Sequence, residues 1–226
     1  MQMNYSEVKA APPAALALIL AAERLMAVHG PGALTVRQIN AAAQVRNSSA
    51  IHYHFGSVAG LLAAVLDHRM GPVNARRMTA LDELRAAGRT SDQRAIVAAL
   101  IWPLAGELAP RAQGNHYLRF LWRTLLDTDD GGSQIRTIDP ALLIGWRAAE
   151  DLLRATMRYL PDAIVEFRQR MVRVQAISGL ASLEASHGEG GAAPEQIRFS
   201  VEALIDALCA MVAGPVSPAV LALSGD

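Results

Sequence analysis

The chain is short of the residues that most often carry chemistry. Of its 226 residues only Cys209 is a cysteine, so no intrachain disulfide can form and a disulfide-stapled secreted scaffold is excluded. Cys209 lies in an apolar helical run and reads as a buried, inert thiol. Lysine occurs once, at Lys9, and aromatics make up 5% of the chain. The 21 basic residues are balanced by 21 acidic ones, which excludes a generic, strongly basic nucleic-acid coat. Ala14 to Ala22 is an apolar run of nine residues, too short to span a bilayer. With Lys9 before it the run could pass for a signal-peptide core, but Glu23, Arg24, Leu25, Met26 and Val28 continue it as an ordinary helix. No membrane association is expected, and a reducing cytoplasm fits the single thiol. Internal repeats are also missing.

Signs of catalysis are equally sparse. His116 and His187 have no neighbours at metal-ligand spacing, and no G-x-S-x-G or phosphate-cradling glycine loop occurs. Glu150-Asp151 falls in a helical stretch where solvation explains it, and the acidic loop Asp127 to Ser133 lacks the ligand array of a calcium loop. The chain is read as a non-enzyme, with no catalytic residue, no metal and no cofactor.

What the chain has is helix. Hydrophobic residues are 52% of the total, rich in Ala and Leu, and no sustained alternation suggests a strand. The expected fold is all-α. The most informative stretch is Thr35 to Ser57, TVRQINAAAQVRNSSAIHYHFGS. Thr35 can cap a short helix whose apolar face is Val36, Ile39 and Ala43. Asn47 can cap a second, anchored by Ile51 and Phe55, four apart. Ser48, Ser49, His52 and Tyr53 are left facing outward, where short or flat polar side chains can reach base edges or phosphates. This is the pattern of a helix-turn-helix; its bland counterpart is a helical hairpin with a solvated polar face. Residues 1–70 carry five basic and three acidic residues, and four of the six histidines, a small positive excess.

Over residues about 16–70 the sequence resembles the DNA-binding domain of TetR-family transcriptional regulators. Leu16, Ala21, Ala22 and Leu25 stand in a first helix that ends at His29-Gly30, and Thr35-Val36 and Ile39 in a second. Ile51 and Tyr53-His54-Phe55 stand in the third, and Gly56, Ser57 and Leu61-Leu62 open a fourth. There are departures. Gln44 stands where the family usually has Gly, the segment Val45 to Phe55 is one residue longer than the commonest pattern, and Val58-Ala59 replaces a Lys-Glu pair. The resemblance implies DNA contacts from Thr35, Arg37, Gln38, Arg46, Asn47, Ser48, Ser49, His52, Tyr53, His54 and Ser57, with Arg46 placed for a phosphate and Ser57 capping the fourth helix.

The sequence divides into a mobile arm at 1–13, broken by Pro12-Pro13, a helix-turn-helix domain at 14–70, a helical domain at 71–215, and a tail at 216–226. Helix four is expected from Ser57 to about Met70, closed by Gly71-Pro72. An amphipathic helix follows at 74–87 with Met78, Leu81 and Leu84 inward and Arg76 and Arg77 solvated. Further helices are expected at about 92–108, kinked by Pro103, then at 115–128, 140–159, 162–186 and 194–213, with a flexible link His187 to Ala193. The last two carry a surplus of apolar positions: Ile164, Phe167, Met171, Val174, Ile177 and Leu180, then Ile197, Val201, Leu204, Leu208 and Met211. The resemblance implies that they form a homodimer through a four-helix bundle. Aromatics gather in the middle of the chain, so Trp102, His116, Tyr117, Phe120, Trp122, Arg123, Trp146 and Met157 are candidate lining of an effector pocket, although each also fits a packed core. Few charges lie in these runs, so an uncharged or weakly charged, largely apolar effector is expected. The function implied is a ligand-responsive regulator, a repressor, binding an inverted-repeat operator in double-stranded DNA as a homodimer. Two alternatives stand: a helical interaction protein that has lost specific DNA binding, and a helical enzyme on the same scaffold.

Overall fold

A computed structural model describes residues 12–30, 34–109, 115–126, 139–187 and 193–224. Those residues form helices and turns, and no strand occurs among them. Helix α1 (Pro13–His29) starts at a proline, which fits the first helical position because its missing N–H would have had no partner there. It buries Leu18, Ile19, Ala22 and Met26 and stops at Gly30, where φ of +78° suits a residue without a β-carbon. Helices α2 (Val36–Ala42) and α3 (Ala50–Phe55) follow, and α1 packs against both.

Helix α4 (Val58–Ala86) corrects the sequence reading, because it runs without a break through Gly71-Pro72 and absorbs the separate helix expected at 74–87. Ser57 caps it, its hydroxyl accepting from the Gly60 N–H at 3.0 Å. A β-carbon at Gly60 would stand 2.1 Å from the Phe55 carbonyl oxygen, so only glycine lets α4 begin this close behind α3. Pro72 forfeits one ladder hydrogen bond, but the side chains around it are fixed: Arg69, Val73 and Arg77 are all buried. The expectation that Arg77 is solvated fails as well, whereas Arg76 stays exposed, as expected. Arg77 is 2% exposed, and Arg76 bonds to the Pro103 carbonyl at 2.9 Å and to Glu107 at 2.8 Å.

Helix α5 (Gln93–Ala105) is capped by Asp92, which accepts from the Ala95 N–H at 3.0 Å, and continues as a 3-10 turn over Gly106–Leu108. Ile96, Val97, Leu100, Ile101 and Leu104 are buried, and α4, α7 (Ile144–Thr156) and α9 (Pro194–Ala213) surround it. Helix α6 (Tyr117–Leu126) lies between α1 and α8 (Asp162–His187). Its first turn is held by Glu184 of α8, which accepts from the Leu118 and Arg119 N–H groups at 3.0 Å each and pairs with the Arg119 guanidinium at 3.1 Å. Helices α8 and α9 pack on each other. A short helix α10 (Pro218–Leu223), capped by Ser217, occupies part of the stretch expected to be a tail. The loop Asp127 to Ser133 lies outside the described residues, as do most of the arm and of the link after His187. No helix among the described residues is long and apolar enough to cross a membrane.

The N-terminal helices are fixed to the rest by a buried ionic chain. Arg69 donates from Nε to Glu23 Oε2 at 2.6 Å and from Nη2 to Glu23 Oε1 at 2.9 Å, a two-pronged pairing of guanidinium with carboxylate. Its Nη1 lies 3.7 Å from Glu107, which also holds Arg76. Glu23 sits on α1, Arg69 and Arg76 on α4, and Glu107 just after α5. Removing Arg69 strands the buried Glu23 carboxylate and takes one cation from Glu107. Arg69→Ala is therefore expected to lower stability by about 3–5 kcal/mol in urea unfolding; a loss below about 1 kcal/mol, the size typical of an exposed pair, would show that the chain carries no such load.

Candidate nucleic-acid interface and cavity

The α2–α3 unit is built by local hydrogen bonds. Thr35 and Gln38 form a reciprocal capping box: Thr35 Oγ1 accepts from the Gln38 N–H, and Gln38 Oε1 accepts from the Thr35 N–H, both at 3.3 Å. These two candidate DNA contacts are thus engaged in starting α2, although both side chains are exposed. Ile39 points into the core, and Arg37 is exposed beside it. The turn passes through Gln44, whose φ of +56° makes it the one non-glycine residue with positive φ among the described residues. Asn47 does not cap α3, as had been expected. Its Oδ1 accepts from the Ser49 N–H at 2.9 Å, tightening the turn one step earlier, and Ser49 becomes the N-cap without a side-chain bond.

Helix α3 is only six residues long. Ala50 and Ile51 are buried against the first helices, while Ser48, Ser49 and His52 are exposed and Tyr53 is 82% exposed. His54 is half-buried, its ring edge-on to Tyr53 at 4.9 Å and tilted against Phe55 at 5.9 Å. His52 Nδ1 lies 2.9 Å from the Gly56 carbonyl oxygen. A carbonyl can only accept, so Nδ1 carries the proton and donates, which leaves Nε2 of the neutral ring as an outward acceptor. Arg46 is exposed on the turn, and neither it nor Arg37 forms an ion pair among the described residues. The outward set is therefore a histidine, a tyrosine and two serines on a short helix, flanked by two unpaired guanidinium groups. It can reach base edges and phosphates in a major groove.

The effector-pocket candidates do not converge on one place. A cavity of about 330 Å³ lies between α4, α6, α7 and α8 and is lined by Tyr117 and Trp146 together with Arg77, Leu104, Leu121 and Ile177. Trp102 instead lines a separate outer groove of about 760 Å³ beside Arg76 and Pro103. Phe120 and Met157 are fully buried in the core, Phe120 stacked on Tyr117 with centroids 6.3 Å apart. His116 Nδ1 accepts from Arg119 at 2.8 Å; Trp122 is half-buried and Arg123 exposed. Sequence reasoning missed Arg77, yet a signal was there: Val73, Arg77, Leu81 and Leu84 follow helical spacing on one face, and all four are buried. Burial pushes the Arg77 guanidinium down to about 10. Cys209 is half-buried rather than buried, and partial desolvation raises its thiol.

Residues 18–65 match the family model for bacterial regulatory proteins of the tetR family. No curated protein matches the chain. The chain thus carries a TetR-family DNA-binding domain, the recognition and fold class read from its sequence.

The turn generates a prediction of its own. An L-residue at a left-handed φ costs about 1–2 kcal/mol, part of which glycine returns as lost chain entropy. Gln44→Gly is therefore expected to raise stability by about 0.5–1 kcal/mol in thermal melts. A neutral or destabilising result would mean that the Gln44 side chain makes a compensating interaction.

Proposed function

We propose that this DNA-binding transcriptional regulator is a ligand-responsive repressor, acting as a homodimer in the cytoplasm on an inverted-repeat operator. The observation that carries the reading is the outward set on α3: Ser48, Ser49, His52 and Tyr53 stand exposed over a buried Ala50 and Ile51, beside Arg37 and Arg46. Residues 14–70 serve as the reading head and 71–215 as the effector-binding and dimerisation part, with α4 running through both. The dimer reading is supported by apolar side chains left outward on α8 and α9. Phe167 is 53% exposed, Val174 is also exposed, and Phe199 is 74% exposed. Ile164, Ile177, Leu180, Val201 and Leu208 are buried within the chain, while Met171, Ile197, Leu204 and Met211 are only half-buried. A symmetric partner would cover that remainder. The cavity beside α4 supports an effector role, since α4 begins directly behind α3. A small, largely apolar molecule there would release DNA by favouring a conformation with misplaced reading heads.

A gel shift with the duplex lying directly upstream of the chain's own coding region tests the reading and separates it from a helical interaction protein without DNA binding. A shifted band competed poorly by scrambled duplex is expected. His52→Ala should reorder the preference among operator variants by about 1–3 kcal/mol, while Arg46→Ala weakens all of them alike. If the two effects are exchanged, α3 is oriented differently. Sedimentation at micromolar concentration should give a dimer, and Phe167→Glu should give a monomer that still folds; a monomeric wild-type chain would remove the dimer from the account.

A further inference from the structure

The cavity between α4, α6, α7 and α8 is lined by residues with polar groups that the described residues leave unanswered. Arg77 is buried, yet among the described residues no carboxylate pairs with it. Its Nε and Nη2 donate to one acceptor, the Leu100 carbonyl, at 3.3 and 3.1 Å, and the guanidinium lies 5.2 Å from the Trp146 ring centroid. Most of its five N–H groups remain to be satisfied. Two further buried donors, Oη of Tyr117 and Nε1 of Trp146, belong to residues lining the same cavity and have no hydrogen-bond partner among the described residues. Burial keeps the Tyr117 phenol protonated and able to donate. The remaining charged lining is Arg147, exposed and unpaired among the described residues, and the pair Arg173–Glu150 at 2.5 Å. Three guanidiniums thus face one carboxylate. The rest of the wall is apolar: Met70, Val73, Leu104, Leu121, Leu143 and Ile177.

We propose that this cavity binds an amphipathic monocarboxylate, its anionic head held by Arg77, Tyr117 and Trp146 and its body along the apolar wall. The inference rests on the reading of the cavity as the effector site, and it narrows the uncharged or weakly charged effector expected from the sequence to an anionic one. An anion supplies acceptor lone pairs for all three unanswered donors and a counter-charge for the buried cation, which neither an alcohol nor an amine can do. One buried, uncompensated guanidinium matches one negative charge. The cavity volume suits a ligand at the small end of the usual range.

The test is calorimetric titration of the full chain with decanoate, decanol and decylamine, and with 2-naphthoate and 2-naphthol. The carboxylates are expected to bind about tenfold or more tighter than their uncharged or cationic counterparts, the worth of a charge-assisted hydrogen bond. R77M, which keeps the bulk of the side chain, should abolish that preference and melt higher than wild type in the absence of ligand. Y117F, which leaves the ring in place, should reduce the preference and also carries the variant arm if R77M does not fold. Equal or tighter binding of the alcohols by wild type, or a carboxylate preference that survives R77M, overturns the inference while leaving an effector site in place. Failure of every probe to bind, whatever its head group, overturns the effector reading of the cavity as well.

Discussion

The structure depends on one chain of charges, the buried Glu23, Arg69 and Glu107 with the half-exposed Arg76 at its end. Charges this deep are costly to strip of water, and they persist only where each finds a partner of good geometry. Here the partners come from α1, from both halves of α4 and from the turn after α5. A two-pronged Arg69–Glu23 contact tolerates little rotation, so α1 cannot roll on α4 without exposing a stranded carboxylate. The reading head is therefore not suspended on a linker. It shares a helix and an ionic lock with the helical body, so α4 is a continuous physical connection between them.

This arrangement also explains where the sequence was legible and where it was not. The cap at Thr35, the outward Ser48, Ser49, His52 and Tyr53, and the two long helices α8 and α9 all follow from local rules, and local rules are written in adjacent residues. The Gly71-Pro72 pair misled because it is a stop signal only when nothing else holds the chain. In the fold, Arg69 is pinned from α1 and Val73 and Arg77 are buried from α5 and α7, so α4 continues at the loss of one hydrogen bond. Arg77 was misread for a related reason. A charged residue among apolar ones looks solvated until its helical phase, shared with Val73, Leu81 and Leu84, is taken as seriously as its charge. The grouping of Tyr117 with Trp146, and their separation from Trp102, depended on how α4, α6 and α7 meet, which no spacing in the sequence records.

Function follows from the same geometry. A short helix with a polar outward face is suited to reading a groove only if its position is fixed, and α3 is fixed by Ile51 beneath it and by α4 starting directly behind it. A cavity whose walls include α4 is suited to control only if α4 is stiff enough to carry the displacement. Coupling between two such sites is commonly about 1–3 kcal/mol, enough to change operator occupancy severalfold or more. The departures from the family pattern do not remove these features. Gln44 completes the turn in a left-handed conformation that glycine would adopt more cheaply, and Ser57 still caps α4 although Val58 replaces a lysine.

The central claim is that head and body act as one connected unit, and hydrogen exchange of the full chain with and without the upstream duplex tests it most directly. Binding DNA is expected to slow exchange in α3 and, beyond the contact surface, along α4 past Pro72 and in the wall of the cavity on α7. Protection confined to residues 35–57, with α4 beyond Pro72 and α7 unchanged, would contradict it.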